Sequence, residues 1–288
     1  NNIFFGSNIN YILSLSKIKP EINYTKIHDY LFSGFRSIGL KDDTFFQGIH
    51  NVKPNTFLKI SKRGTEEKSY WNFKKIKINN NLIYADSKDL LEASFIDTLS
   101  KRLRSDFPIA CLLSGGIDSN SIISTSKKKL NIDMKCYSIG TKDRKYDESN
   151  IINDTKKRLK LNHSYITTKE NFSYSHMSKI IKDGAYPISS ITQLLYYFIN
   201  KEINKDKIRV LLSGIGGDEL FGGYYTHQMY YLFASQKSKN FNSIHTDWEK
   251  FIKPFVRNRG LNNFSYFKKA IKNQEHVFVA NDTFPNNF

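Results

Sequence analysis

The spacing of apolar and polar residues changes part-way along the chain. Up to about residue 78, the runs NIFFGS, TFLKIS and KSYWNF are rich in β-branched and aromatic residues and are separated by turn residues, which predicts short strands. Between them, NYTKIHDYLFSG places apolar or aromatic residues at helical spacing and ends at Gly34. We therefore expect a β-rich first region that contains one helix.

From residue 79 the pattern becomes one of alternating helices and strands. A polar NNN is expected to be a linker, and SKDLLEASFIDTLSKRL then has helical spacing, with Ser87 as its predicted N-cap. Continuous apolar runs predict the strands PIACLLS, MKCYSIG, HSYITT and IRVLLSG. The segments between them predict the helices DSNSIISTSKKKL, DESNIINDTKKRLK, SHMSKIIKDG and SITQLLYYFINKEI. Such alternation is typical of an α/β protein with a parallel sheet that is covered on both faces.

The pattern weakens near the end of the sequence. Beyond Tyr225 the chain turns polar with little periodicity, down to the irregular NDTFPNNF.

Composition indicates a globular protein. The chain has 288 residues, of which 39% are hydrophobic and 14% aromatic. No run of about 18 apolar residues occurs, so no membrane span is expected. The sequence begins Asn1-Asn2-Ile3 without Met or a signal-like pattern, so we expect a piece of a longer chain. Cys111 and Cys136 lie in strand-like runs, which favours reduced buried thiols and a cytoplasmic location.

The formal net charge of +17 leaves two interpretations open. Clustered Lys and Arg would suit a nucleic-acid partner. Here the lysines are scattered, and SKKKL and DTKKRLK resemble solvated helix faces or ends. The pattern favours compositional bias over nucleic-acid binding.

The stretch CLLSGGIDSNSIIS carries the first candidate chemistry. A predicted strand ends in Ser114-Gly115-Gly116, and a predicted helix follows this turn. Such a turn can bind an anion, because glycines let a ligand approach the backbone closely and the first amides of the helix point at that ligand. Asp118 would repel a phosphate unless a cation lay between them, and Mg²⁺ suits carboxylate and phosphate oxygens together. The lysine-bearing loop of kinases and motor NTPases is absent.

The stretch VLLSGIGGDELFGGYY repeats this arrangement. An apolar strand again ends in Ser213-Gly214, and Asp218 and Glu219 follow two further glycines. The two Ser-Gly turns are predicted to face one crevice, with Asp118 and Asp218 sharing one Mg²⁺-bound polyphosphate.

Together these motifs resemble the synthetase domain of the glutamine-dependent asparagine synthetase family. YDES and LNHSY fit the same pattern in order and spacing. The N-terminal IFFGS…LFSGFRSIGLKDDTFFQGIHNVKPNTFLKI…SYWNF resembles the closing part of the family's glutaminase domain, so the resemblance covers roughly residues 1 to 225. It implies an α/β ATP pyrophosphatase domain (adenine nucleotide alpha hydrolase-like) preceded by a β-rich remnant of an Ntn-type glutaminase. The implied domains are 1–78, 79–235 and a truncated C-terminal extension, 236–288.

The resemblance also assigns roles to residues. The pyrophosphate loop would comprise Ser114, Gly115, Gly116, Asp118 and Ser119. Adenosine would lie against Leu113, Ile139, Ser213 and Gly214. Asp118 and Asp218 would be the catalytic acids and the metal ligands. PISSITQ falls where the family binds its carboxylate substrate, which points less specifically to Ser189, Ser190 and Thr192.

The implied activity is that of an ATP-dependent, AMP-forming amide ligase with Mg²⁺. A small-molecule carboxylate, first of all aspartate, would be adenylated and then attacked by ammonia derived from glutamine. No membrane or nucleic-acid partner is expected, and a homodimer is left open.

Three departures from the family pattern leave more than one function open. Ile215 stands where asparagine synthetases usually carry Glu, which puts aspartate in doubt as the acceptor. A sugar acid or a peptide is therefore kept open as an alternative acceptor. The glutaminase's N-terminal cysteine nucleophile has no counterpart here, since Cys111 and Cys136 belong to the other domain. The helical C-terminal part, which supplies a lysine near the reacting phosphate, is expected to be largely missing. The sequence also allows an RNA-modifying ATP pyrophosphatase or a non-catalytic remnant.

Several neighbouring residues are expected to be structural. We expect His163 to begin a strand, Asp147 and Glu148 to cap the following helix rather than bind metal, and Tyr224 and Tyr225 to be packing residues.

Overall fold

The computed structural model describes residues 2–39, 41–79, 81–140, 147–167, 173–256, 258 and 260–273. The chain forms two compact units, Asn1–Leu212 and Ser213–Phe288. These are units of packing, and the domain boundaries implied at 78 and 235 stay predictions.

The first unit begins with two short helices. Helix α1 spans Ile9–Ser16 and α2 spans Tyr24–Ser33, and the side chain of Asn23 caps α2 by accepting a hydrogen bond from the Lys26 amide. Gly34 ends α2 with a φ of 63°, a left-handed value that glycine adopts without strain. The helix predicted over residues 23 to 34 is therefore confirmed.

A buried lysine forms an ion pair that links α2 to the segment after it. The Lys26 side chain is buried, and its ammonium donates to Asp43 Oδ1 at 2.8 Å and to the Ser37 carbonyl at 3.0 Å. A buried ammonium needs such partners, because burial removes its hydration.

The first region contains fewer strands than predicted. Strands β1 (Thr56–Ser61) and β2 (Gly64–Ser69) form an antiparallel hairpin, which confirms TFLKIS. KSYWNF contributes only Lys68 and Ser69, and NIFFGS forms no strand. Among the described residues no strand pairs with residues 2–7, and a strand exists only where a neighbour accepts its backbone hydrogen bonds.

Helix α3, Tyr84–Arg102, begins before the predicted N-cap. Ser87 lies inside the helix, where its hydroxyl donates to the Ile83 carbonyl at 2.9 Å. The Ser87 prediction is wrong because a serine hydroxyl can bond back to a preceding helical carbonyl as readily as it can cap.

The described part of the first unit is built on a four-stranded parallel sheet, in the order β5-β4-β3-β6. The strands are β3 (Ile109–Leu112), β4 (Lys135–Gly140), β5 (His163–Thr167) and β6 (Val210–Leu212). The intervening helices are α4 (Ile117–Lys128), α5 (Ser149–Leu159), α6 (Tyr174–Gly184) and α7 (Ile191–Lys205). The predicted α/β class and all eight of these elements are confirmed.

The alternating side chains of the sheet enter two separate cores. Cys111 and Cys136 pack with residues of α4 and α5, including Ile123 and Ile152. Their neighbours Ala110 and Tyr137 pack on the other face with Ile199, Ile203, Ile166 and Ile208. Both cysteines are free and buried, as predicted, and burial raises the pKa of Cys136 to about 12.

The second unit is helical and has its own core. Helix α8 spans Gly217–Phe221, α9 Tyr225–Ser235, α10 Phe241–Phe251 and α11 Phe264–Lys272. The core cluster of this unit contains Met229, Leu232, Trp248, Val256, Leu261 and Phe267. The weak periodicity inferred beyond Tyr225 is wrong, because α9, α10 and α11 bury apolar residues at helical spacing, such as Met229 and Leu232 of α9. NDTFPNNF lies outside the described residues.

None of the helices in the described ranges combines the length and the apolar character needed to cross a membrane.

The core of the second unit gives a stability prediction. Phe267 is fully buried, whereas Phe251 in the same unit is 60% exposed. Phe267→Ala should lower the free energy of unfolding by about 3–5 kcal/mol, since it removes a ring from a packed core. The measurement is urea unfolding followed by the fluorescence of buried Trp248 in a Trp71→Phe background, because these are the chain's two tryptophans.

Phe251→Ala is the matched control, with an expected loss below about 1 kcal/mol. Equal losses for the two variants would contradict the assigned core.

Candidate active site

The first Ser-Gly motif follows the central strand of the sheet. The Leu113 amide donates to the Tyr137 carbonyl at 2.8 Å, so Leu113 extends the edge of β3, and the turn Ser114-Gly115-Gly116 leads directly into α4. Strand β3 lies between β4 and β6, and the chain leaves it toward β4 and returns on the other side as β6. Ligands of open α/β sheets bind at such a switch point, beyond the carboxyl ends of the strands.

Hydrogen bonds from the first turn of α4 fix the shape of this loop. The Ser119 hydroxyl accepts from the Ser114 amide at 3.1 Å and lies 3.0 Å from the Ser114 hydroxyl, and the Gly116 amide donates to that Ser114 hydroxyl at 3.1 Å. Ser119 is only 4% exposed. The structure therefore places Ser119 as a brace beneath the loop, and its contact with ATP stays a prediction.

Asn120 is a site residue that sequence reasoning missed. Its side-chain amide donates to the carbonyls of Ser114 and Gly116 at 2.9 and 2.8 Å. Its Oδ1 accepts from the buried hydroxyl of Thr155 on α5 at 2.7 Å. Asn120 thus joins the loop to α5. The sequence did not indicate this role, because Asn120 is one polar residue among several in a helical segment.

Gly115 binds an anionic oxygen from within the chain. Its amide donates to Glu148 Oε2 at 2.8 Å. A Cβ at Gly115 would lie 3.2 Å from the Glu148 Cβ and 3.3 Å from the Ile151 Cδ1, so glycine is what allows the start of α5 to approach the loop. Because this amide already holds a carboxylate oxygen, the loop fits the phosphate oxygen that the resemblance places there.

The two acids before α5 have different roles. Asp147 accepts from the amide and the hydroxyl of Ser149, both at 3.0 Å, so its predicted capping role is confirmed. Glu148 makes no side-chain capping bond, and its predicted capping role is wrong because its carboxylate turns to the Gly115 amide. Tyr146, the first residue of YDES, lies outside the described residues.

Asp118 is the acid that the resemblance assigns to Mg²⁺ at the first loop. It is partly buried in the first turn of α4, where the helix dipole stabilises a carboxylate. Across the described ranges no three or more His, Cys, Asp or Glu side chains form a metal-binding group. The predicted Mg²⁺ site needs only two acids plus phosphate oxygens, and its donor set of hard carboxylate oxygens fits that ion. Asp118 and Asp218 lie in different units, so their sharing of one ion stays a prediction.

The second Ser-Gly motif begins where β6 ends. Leu212 pairs with Cys111 of β3, and Ser213 follows as the first residue of the second unit. The Gly217 amide donates to the Gly214 carbonyl at 3.2 Å, which closes the turn before α8. The roles of Ser213 and Gly214 in binding adenosine stay predictions.

Gly223 determines where the Asp218 side chain can lie. A Cβ at Gly223 would come within 1.8 Å of Asp218 Oδ1, a distance that no side chain tolerates. The glycine therefore makes room for the carboxylate that the resemblance assigns to Mg²⁺.

Tyr224 does more than pack. Its hydroxyl donates to Glu219 Oε1 at 2.8 Å, and this hydrogen bond is the main cause of a lowered Glu219 pKa. The expectation that Tyr224 is only a packing residue is therefore wrong. Ile215, which stands where the family usually has Glu, is 74% exposed and offers no polar group.

The segment predicted to bind the carboxylate substrate is organised by Gln193. Its Oε1 accepts from the Ser189 amide at 2.9 Å and from the Ser189 hydroxyl at 3.3 Å. Ser190 precedes α7, and Thr192 is exposed on its first turn. The structure brings Ser189 and Gln193 together, and substrate binding by Ser189, Ser190 and Thr192 stays a prediction.

Leu113 and Ile139 contribute side chains to the cores on either side of the sheet. Leu113 is 2% exposed and packs with the α4–α5 core, while Ile139 packs against the other core. Their predicted contact with adenosine is not tested by this packing.

His163 is connected to the loop-bearing strand through Ser138. His163 Nε2 lies 2.8 Å from the Ser138 hydroxyl, which itself donates to the Leu113 carbonyl. Burial, aided by the charge of Lys156, lowers the His163 pKa below its usual value. His163 thus has a structural role at the start of β5, as predicted, and Ser138 is a second residue that the sequence did not reveal.

Comparison with known proteins identifies the family of the chain. The family model described as asparagine synthase matches residues 90–277, more than half of the chain. The chain belongs to the asparagine synthase family.

Named relatives in this family include synthetases and amidases. Asparagine synthetase [glutamine-hydrolyzing] 1 of Bacillus subtilis is 31% identical over 61% of this chain and 27% of that protein. Asparagine synthetase [glutamine-hydrolyzing] 3 of the same organism is 28% identical over 77% of this chain and 38% of that protein. Amidase chyE of Penicillium rubens is 26% identical over 64% of this chain and 30% of that protein. The chain spans less than half the length of these curated relatives.

A solved structure also aligns with the chain. The NH3-dependent NAD synthetase of Campylobacter jejuni has a TM-score of 0.35 and 15% identity, over 69% of this chain and 98% of that one. This similarity is too low to add to the family match.

The pKa of His163 predicts a pH dependence of stability. Because the folded protein favours the neutral imidazole, the unfolded chain binds the proton first as the pH falls below about 6.5, and the free energy of unfolding decreases. His163→Gln keeps an amide near the Nε2 position but does not titrate. Between about pH 7.5 and about pH 5.5, the free energy of unfolding measured with urea should fall by more in the wild type than in this variant. The same loss in both proteins would exclude His163 as the cause.

The brace beneath the loop gives a second prediction. Ser119→Ala leaves the Ser114 amide without its acceptor and should cost about 1–3 kcal/mol of unfolding free energy. The measurement is urea unfolding of both this variant and Ser124→Ala, a half-buried serine further along α4. A Ser124→Ala loss as large as that of Ser119→Ala would argue against the brace.

Proposed function

We propose that this chain carries the synthetase activity of an ATP-dependent, AMP-forming amide ligase of the asparagine synthetase type. The observation that carries the proposal is the Gly115 amide, which holds a carboxylate oxygen at 2.8 Å in a Ser-Gly-Gly turn beyond the central strand. Family membership supports the same chemistry. The ATP pyrophosphatase fold and the glutaminase origin of residues 1–78 belong to the proposal.

The proposed reaction has two steps. A substrate carboxylate oxygen attacks the α-phosphorus of ATP, and the bond to the bridging oxygen breaks, which gives an acyl-adenylate and pyrophosphate. Ammonia then attacks the acyl carbon, loses a proton, and expels AMP to leave an amide. Bound Mg²⁺ would supply charge neutralisation for the triphosphate, held by Asp118 and Asp218.

The residues of the chain act mainly by holding and orienting. The loop amides and the start of α4 would stabilise the charge that develops on the leaving pyrophosphate. Ser119 and Asn120 keep those amides in place through the hydrogen bonds described above. The position of β6 beside β3 supports a second contribution from the Ser213-Gly214 turn, which starts at the end of the adjacent strand.

The acceptor is proposed to be aspartate, with another carboxylate as the second candidate. Exposed Ile215 favours the second candidate, since it cannot accept a proton or pair with a charge as the usual Glu could. The similarity to amidase chyE also supports the second candidate. A sugar acid and a peptide carboxylate are therefore included in the test.

We propose that ammonia comes from a separate glutaminase active site. Cys111 and Cys136 are the only cysteines in the sequence, and both are buried in the sheet with raised pKa values. A buried neutral thiol is a poor nucleophile, so neither can hydrolyse glutamine. The names of the Bacillus subtilis relatives, which include glutamine hydrolysis, support glutamine as the nitrogen source.

ATP–pyrophosphate exchange in the presence of Mg²⁺ tests the proposal. Aspartate, sugar acids and peptide carboxylates are supplied one at a time, and one of them should stimulate exchange. Asp118→Asn should reduce the stimulated rate by about 100-fold or more, because it removes charge from the proposed cation site. Asp154→Asn, an exposed acid on α5, is the matched control and should retain the rate.

Three outcomes would contradict this function. An unchanged exchange rate in Asp118→Asn would contradict the assignment of Asp118 as a metal ligand. Exchange that requires tRNA rather than a carboxylate would favour an RNA-modifying enzyme, which the net charge of +17 allows. ATP binding without exchange under any condition would favour a non-catalytic protein.

A further inference from the structure

Each amide of the Ser-Gly-Gly turn already has an acceptor, and one acceptor differs from the others. The amides of Ser114 and Gly116 donate to hydroxyls within the loop and the first turn of α4. The Gly115 amide donates to Glu148, a carboxylate brought in from another helix. The described loop therefore holds an anion of its own.

The position of Glu148 is fixed by the start of α5. Asp147 caps this helix at Ser149, and the Ile152 amide donates to the Glu148 carbonyl at 3.1 Å, with the Ile152 side chain buried. The missing Cβ of Gly115 allows the Glu148 side chain to lie against the turn. The contact is thus anchored through the backbone, while the carboxylate itself is exposed and can move away.

A carboxylate at this amide is incompatible with a phosphate oxygen in the same place. One N–H group points at one acceptor, and two negative groups at contact distance repel each other. We propose that Glu148 is an internal competitor that holds the loop in its binding shape, is displaced by the polyphosphate, and returns as pyrophosphate leaves. This inference rests on the proposed function. In it, the Glu148 carboxylate lowers the affinity of the loop for pyrophosphate.

Glu148 could instead assist binding by approaching Mg²⁺ on the pyrophosphate. That arrangement predicts the opposite sign, since removing the charge would weaken binding. The sign of the affinity change therefore separates competition from assistance.

The test is calorimetric titration of the whole chain with magnesium pyrophosphate. Glu148→Gln keeps an acceptor for the Gly115 amide but removes the negative charge, so affinity should increase by about fivefold. Asp147→Asn removes the same charge one residue earlier, can still cap α5, and should stay within about twofold of the wild type.

Hydrogen exchange of the Gly115 amide, measured by NMR without ligand, provides a second readout. Glu148→Ala removes the acceptor and should speed exchange at Gly115, while Glu148→Gln should largely preserve protection. Unaltered exchange in Glu148→Ala would show that the contact is absent in solution and would overturn the proposal.

The remaining outcomes distinguish this proposal from the proposed function. Pyrophosphate binding that is unchanged or weaker in Glu148→Gln overturns the competitor role and leaves the ligase function intact. Absence of binding in the wild type and in both charge variants would overturn the loop as a pyrophosphate site, and the proposed function with it.

Discussion

The position of β3 between β4 and β6 is the constraint on which the candidate site depends. The chain leaves β3 toward β4 and returns as β6 on the other side of β3, so the carboxyl end of β3 is a switch point of the sheet, where ligands of open α/β sheets bind. The Ser-Gly-Gly turn occupies that end.

The loop keeps its shape through side chains that do not face a ligand. Ser119 and Asn120 bind loop amides and carbonyls from the first turn of α4, and Thr155 fixes Asn120 from α5. Ser138 binds the carbonyl of Leu113 from the neighbouring strand. These hydrogen bonds order the backbone before any ligand arrives, which lowers the entropic cost of binding. The same order gives Glu148 a defined place in the loop.

The alternation of buried strands and helices between residues 109 and 212 could be predicted, because continuous apolar runs mark the strands there and the segments between them have helical character. The N-terminal region was predicted less well, since NIFFGS has strand-like composition but no strand among the described residues pairs with it. The helices after Tyr225 were missed because the many polar residues of this region concealed the helical spacing of core residues such as Phe264, Phe267 and Ile271. The burial of Lys26 against Asp43 could not be anticipated, because lysine is a residue type that usually lies at the surface.

The sequence by itself determined the α/β class, the two Ser-Gly turns and the acids beside them, because glycines and acids at strand ends have local consequences. Tertiary structure alone decided that Ser119 supports the loop and that Glu148, unlike the capping Asp147, reaches the Gly115 amide. Two adjacent acids before a helix are equivalent in a local pattern. What separates them is the packing of α5 against Gly115, a contact between residues far apart in sequence that no local period encodes.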